Sequence, residues 1–159
     1  MSKIVFTRGI QGSGKSTWAK EWVEEDPKQR IRINFDEMRL MLGGGYGGYW
    51  VPCREEYGLL DDMLKALLTK AIAMDIDVVI DNMNLNEKSV KSVQEFCSEV
   101  YAHFLDENPH AKNSDLEFRF KDFKTPLEEC IARDAQRECP IGERVIRNTY
   151  NRYKDFYNK

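Results

Sequence analysis

Gly9-Ile10-Gln11-Gly12-Ser13-Gly14-Lys15-Ser16 is the stretch on which the fold turns, a match to G-x-x-x-x-G-K-[ST]. Its surroundings matter as much as its letters. Lys3 to Thr7, just before it, is short and β-branched or aromatic at most positions, the profile of a strand buried on both faces. Just after it, Trp18, Ala19, Trp22 and Val23 recur at helical spacing until Asp26-Pro27 ends the helix. In that setting the glycines let successive backbone N–H groups converge on a β-phosphate, and the helix N-terminus adds positive potential. Lys15 is placed to bridge β- and γ-phosphates and the Ser16 hydroxyl to ligate Mg²⁺. Gly12, Ser13, Gly14, Lys15, Ser16 and Thr17 are therefore the expected nucleotide-binding set, with ATP and Mg²⁺ as ligands.

Outward from the loop, short apolar runs alternate with helical patterns. Arg30 to Asn34 reads as a second strand, and Asp36 to Leu42 as a helix stopped by Gly43-Gly44-Gly45. Gly43 to Trp50 holds five glycines among three aromatics and reads as an irregular loop. Tyr57, Leu60, Leu64, Leu67, Ala71 and Met74 mark one face of a helix over residues 55–74, and Asp77 to Asp81 reads as the third strand. Asn86 is the expected cap of a helix whose buried stripe is Val90, Val93, Phe96, Cys97, Val100 and Tyr101. Asp106 to Ser114 reads as a polar loop and Leu116 to Phe123 as a half-covered edge strand. Thr125-Pro126-Leu127-Glu128 reads as a capping box opening a helix, and Gly142 to Tyr157 as the last helix. Strands separated by helices imply right-handed crossovers, hence an α/β fold with a central parallel sheet of about four strands, helices on both faces and a C-terminal helical lid. We expect one domain over residues 1–159, with the lid at about 133–142.

Bulk properties narrow the setting. With 42% hydrophobic and 32% charged residues and no apolar run long enough for a bilayer, no membrane partner is expected. Ile4-Val5-Phe6 is too short for a signal sequence, so the expected location is cytoplasmic, with Cys53, Cys97, Cys130 and Cys139 as reduced thiols. No C-x-x-C pair occurs and only two histidines are present, which excludes a persuasive zinc site. A net charge of −3 offers no globally basic face, so any nucleic-acid contact must rest on a few local cations.

A phosphotransferase needs a group to orient the acceptor hydroxyl and cations to stabilise the moving phosphoryl. Asp36 lies just past the second strand, at the sheet edge where open α/β proteins bind ligands, and Arg39 follows one helical turn later. Asp36 is a candidate to accept the hydroxyl proton and Arg39 to hold a phosphate; the alternative is that Asp36 caps its helix and Arg39 is solvated. Asp81 ends the third strand beside Asn82, Asn84 and Asn86, either holding Mg²⁺ through water or taking part in turn chemistry. Arg133 and Arg137 sit one turn apart before Cys139-Pro140-Ile141-Gly142, a break suited to a lid hinge. Either they contact ATP and the transferring phosphoryl, or they complement a helix C-terminus. No N-K-x-D run is present, which removes the GTPase reading.

Gly12 to Trp18, Asp36-x-x-Arg39, Asn82-Met83-Asn84-Leu85-Asn86, the Arg133 and Arg137 pair, and Pro140-Ile141-Gly142-Glu143 together resemble the phage-type 5′-polynucleotide kinase domain of the P-loop kinase superfamily. The resemblance implies that Lys15 and Ser16 bind ATP and Mg²⁺ and that Asp36 is the general base. It also implies that Arg39 meets the acceptor-side phosphate and Arg137 the donor phosphates, with Lys15, Asp36, Arg39 and Arg137 forming the catalytic set. The implied partner is a 5′-OH end of single-stranded DNA or RNA, in nucleic-acid repair, and the implied form is a stand-alone kinase. Tyr46, Tyr49 and Trp50 either stack on bases or pack on the core. Alternatives to this function are a P-loop kinase of a small molecule or nucleotide sugar, toxin-like, and a non-catalytic NTP-binding module.

Overall fold

The computed structural model describes residues 2–42, 55–111 and 115–159. Gly43 to Trp50, with Tyr46, Tyr49 and Trp50, and Cys53 lie outside them. The strands are β1 (Ser2–Arg8), β2 (Arg30–Ile33), β3 (Asp77–Ile80) and β4 (Leu116–Asp122). The helices are α1 (Lys15–Glu24), α2 (Phe35–Met41), α3 (Glu55–Ala73), α4 (Glu87–Glu107), α5 (Leu127–Ala135), α6 (Glu143–Arg152) and α7 (Lys154–Asn158).

All pairings are parallel, in the order β2-β3-β1-β4. Ile4 faces Val78 on one side and Phe118 on the other, so β1 is central and β4 is the expected edge. The pleat sends alternate residues of β1 to opposite faces. Ile4 and Phe6 join Leu60, Leu64 and Leu68 of α3 and Val90 and Cys97 of α4, whereas Val5 and Val79 meet Ala19 with Trp18 and Trp22 of α1. A third cluster places Ile10 of the glycine loop with Leu85, Cys130 and Ile146, flanked by Tyr150 and Tyr157. The C-terminal helices therefore pack on the loop itself.

Several local expectations need correction. β2 stops at Ile33 because Asn34 leaves the strand to cap α2, its Oδ1 accepting Glu37 N–H at 3.0 Å. On α3, Leu60, Leu64 and Ala71 are buried as expected, but Leu67 is 41% exposed, and Met74, just past the helix, 55%, while Leu68 is fully buried. The face rotates because helical side chains drift relative to a strict repeat. Asn86 caps α4 as expected, accepting from Lys88 and Ser89 N–H. α4 then runs through Glu107 into a 3-10 turn at Pro109–Ala111, so the expected polar loop is partly helical. The capping box does not form: Pro126 precedes α5 without a side-chain cap, and the Thr125 hydroxyl donates instead to Ser13 O at 2.9 Å. The last helix breaks at Tyr153, whose φ of −115° and ψ of 28° separate α6 from α7.

Candidate active site

The glycine loop leaves β1 and enters α1 with Gly12 at φ 77° and Gly14 at φ 97°, a left-handed geometry open to glycine without strain. Gly12 has a second constraint, since a Cβ there collides with the Cys130 carbonyl of α5. Three neighbours brace the loop: Ile10 N–H donates to the Tyr157 hydroxyl at 2.9 Å, Gly9 N–H to Met83 O at 3.2 Å, and Thr125 holds Ser13 O. Lys15 is buried and its Nζ donates to Ile10 O at 2.8 Å. Burial lowers its pKa to about 8, against an opposing pull from Asp81. A buried ammonium in the phosphate loop is poised for a polyanion, which stabilises the charge that burial disfavours.

Asp36 and Arg39 meet as expected, Arg39 Nη1 lying 2.7 Å from Asp36 Oδ1. They line the same cleft of ≈ 460 Å³ as Gln11 to Thr17, Asp81, Asn82 and Arg137. The capping alternative for Asp36 fails, because Asn34 takes that task. Arg39 is not simply solvated either: its side chain is only 16% exposed and its buried Nε has no partner among the described residues. Gln11 Oε1, on the same cleft, is likewise buried without a partner.

Asp81 is fully buried where β3 ends. Its Oδ2 accepts from Arg32 Nε at 2.8 Å and lies 2.7 Å from Arg32 Nη2, while among the described residues its Oδ1 has only the Thr7 hydroxyl at 3.4 Å. The neighbouring asparagines do the turn chemistry. Asn84, at φ 48°, donates to Thr7 O and Ile80 O, and Asn82 Oδ1 accepts Phe35 N–H at 3.1 Å. Arg32 went unnoticed in the sequence, although an arginine at alternating position in Arg30-Ile31-Arg32-Ile33 was the available signal. Its other nitrogen, Nη1, lies 2.7 Å from Glu37 Oε1, and that contact is the main reason the Glu37 pKa is lowered.

Over the loop, Arg133 lies beside Gly14 and pairs with Glu129, and Arg137 reaches the cleft. Asp134, also unnoticed in the sequence, is buried and accepts N–H bonds from Ile141 at 3.2 Å and Gly142 at 2.9 Å. Its Oδ1 lies 3.7 Å from Arg137 Nη1. The turn between α5 and α6 is thus folded around one carboxylate. Among the described residues, no group of three or more His, Cys, Asp or Glu is suited to hold a metal ion by itself.

A phosphate loop springing from the central strand β1, an acid–arginine pair just beyond the edge strand β2 and arginines overhead go with a P-loop kinase fold. A family described as an AAA domain matches residues 4–159, and the chain belongs to that family. Among solved structures, the fold is similar to a chain of the Pnkp1/Rnl/Hen1 complex, with a TM-score of 0.63 and 25% identity over 83% of this chain and 38% of that one. A structure of the Pnkp1/Rnl/Hen1 RNA repair complex gives a TM-score of 0.68 and 20% identity over 99% of this chain and 45% of that one. The chain thus spans less than half the length of the chains it matches in these complexes. The Mycobacterium tuberculosis APS kinase CysC, in complex with AMPPNP and APS, gives a TM-score of 0.53 and 17% identity over 85% of this chain and 69% of that one. No described helix is long and apolar enough to cross a membrane.

Proposed function

We propose that the protein is an ATP-dependent polynucleotide 5′-hydroxyl kinase acting on DNA or RNA ends in nucleic-acid repair. The observation that carries this reading is the Asp36–Arg39 pair, held at 2.7 Å in the cleft that also contains Lys15, Ser16 and Arg137. Likeness to a chain of an RNA repair complex supports the choice of acceptor. In the proposed step a bond forms between the acceptor 5′-oxygen and the γ-phosphorus of ATP, and the bond from that phosphorus to the β–γ bridging oxygen breaks. The hydroxyl proton passes to the Asp36 carboxylate, and ADP departs.

Asp36 is 64% exposed at the cleft, and its main contribution is to orient the hydroxyl. Arg39, whose Nε has no partner among the described residues, offers that donor to an acceptor phosphate. Gly12 to Thr17 and Arg133 hold the donor nucleotide, while Lys15 and Arg137 take the charge that shifts along the phosphates. The Ser16 hydroxyl, and Asp81 Oδ1 through water, would hold Mg²⁺. The residues fit that ion, because Asp81, whose Oδ1 has among the described residues only a long contact to Thr7, lines the cleft that also contains Ser16. When bound, Mg²⁺ screens the β- and γ-phosphate charges.

The direct test is incubation with γ-labelled ATP, Mg²⁺ and a 5′-OH oligonucleotide. Label on the strand end is expected. Label found only on a small hydroxyl compound would replace this reading with a small-molecule kinase, and binding without turnover would replace it with a nucleotide-binding module.

A further inference from the structure

The buried side-chain polar atoms that lack a hydrogen-bond partner among the described residues, Arg39 Nε and Gln11 Oε1, both belong to residues of the phosphate cleft. One is a donor and the other an acceptor. A buried amide oxygen without a donor destabilises a fold, and native proteins seldom leave one except where a ligand completes it. Gln11 cannot escape by a shift of its backbone, because both neighbours are fixed. Ile10 is fully buried with Leu85, Cys130 and Ile146, its N–H donates to the Tyr157 hydroxyl at 2.9 Å, and its carbonyl accepts from Lys15 Nζ at 2.8 Å. Gly12, at φ 77°, packs so closely on the Cys130 carbonyl that a Cβ would collide with it. The Gln11 amide is also neutral, so it can accept a hydrogen bond beside phosphates without the repulsion a carboxylate would bring.

The phosphates of ATP are hydrogen-bond acceptors at neutral pH and cannot supply the missing donor. In the complex proposed above, the strand's 5′-hydroxyl meets Asp36 and the phosphate on its 3′-oxygen meets Arg39, two side chains 2.7 Å apart. Those contacts hold the terminal sugar, rather than the base, at the phosphate loop. With the 5′-oxygen at Asp36 and the 3′-oxygen esterified, the remaining donor of that sugar is a 2′-hydroxyl, present in RNA and absent from DNA. We propose that Gln11 Oε1 accepts a hydrogen bond from the 2′-hydroxyl of the 5′-terminal nucleotide, which makes Gln11 the residue that selects RNA ends over DNA ends. The inference rests on the polynucleotide reading above and deepens it to a substrate class. Arg39 cannot make this choice, because the phosphate it meets is common to both kinds of strand.

The test measures kcat/KM for 5′-OH strands identical except at the first nucleotide, which is ribo, deoxy or 2′-fluoro; the fluorine keeps a ribose-like pucker and removes the donor. The ribo end should be favoured over both others by about 5- to 150-fold, the span expected when a buried acceptor is left unpaired. Changing the second nucleotide from ribo to deoxy should matter far less. In Gln11→Met, which keeps the length of the side chain and removes the acceptor, the ribo-to-deoxy ratio should fall toward one. Melting temperature and ATP affinity by calorimetric titration report whether that variant keeps its fold and loop, and the substrate series on the unaltered protein decides the contact without it. Equal values on ribo and deoxy ends, a 2′-fluoro end that matches ribo, or a preference that follows the second sugar overturns the 2′-hydroxyl contact, while label transfer still sustains the polynucleotide reading. An equal loss on ribo and deoxy ends in Gln11→Met, the result expected if the amide met a magnesium-bound water instead, overturns the role of Gln11. Absence of transfer to every strand overturns the polynucleotide reading and this inference with it.

Discussion

The Tyr157 hydroxyl accepts the Ile10 N–H at 2.9 Å, so a residue in the last helix holds the second residue of the phosphate loop. Burial raises the Tyr157 pKa to about 12, which keeps the phenol neutral at every working pH. The ring is held between Tyr150 and Phe156 at centroid distances of 4.8 and 4.9 Å. Tyr157→Phe preserves that packing and removes only the acceptor. The orphaned amide should cost about 1–3 kcal/mol and weaken ATP binding, as measured by calorimetry, with less effect on acceptor KM.

Lys15 makes nucleotide binding pH-dependent. Its pKa of about 8 in the folded protein lies below the ordinary 10.5, so between those values the unfolded chain binds more protons. Stability of the ligand-free protein should therefore rise with pH across that window, by about 3 kcal/mol in all. Phosphates favour the ammonium, so affinity for ATP is fully present below pH 8 and declines above it, with proton uptake on binding. Calorimetry in buffers of different ionisation enthalpy measures that uptake. Lys15→Met should flatten both profiles and abolish transfer.

Asp36→Asn keeps the side-chain shape and removes the base. We expect kcat to fall roughly 10²- to 10⁴-fold, with ATP affinity unchanged by titration. A fall of less than tenfold would remove Asp36 from the proposed step.

Arg32 and Asp81 are a buried pair, with side chains 11% and 0% exposed. Arg32→Met leaves a buried carboxylate without its cation, an expected loss of about 3–5 kcal/mol. Adding Asp81→Asn to that variant should recover part of the lost melting temperature, because the uncompensated charge is gone. A double-mutant cycle by thermal denaturation measures the coupling.

Asp134→Ala removes the two N–H bonds that fold the turn to Gly142. Hydrogen exchange over residues 136–142 should accelerate, and KM for ATP should rise because Arg137 loses its neighbour.

Much of the architecture is written in local pattern. The G-x-x-x-x-G-K-S run between a doubly buried strand and an amphipathic helix specifies the phosphate loop and α1 by itself, because backbone geometry and helix polarity act over a few residues. Asn86 as a cap, β4 as an edge and the placement of Asp36 and Arg39 on one side of α2 follow from equally short-range rules. What spans distant parts of the chain was decided only by tertiary packing. Thr125 has the letters of a capping box, but its hydroxyl lies beside Ser13 O once β4 pairs with β1, and that buried carbonyl takes it. Arg32 meets Asp81 because β2 and β3 are neighbours in register, Asp134 gathers a turn that follows it, and Tyr157 reaches Ile10 across 147 positions. A buried polar group must find a partner wherever the fold brings one within reach, and short-range pattern carries no information about which partner that is.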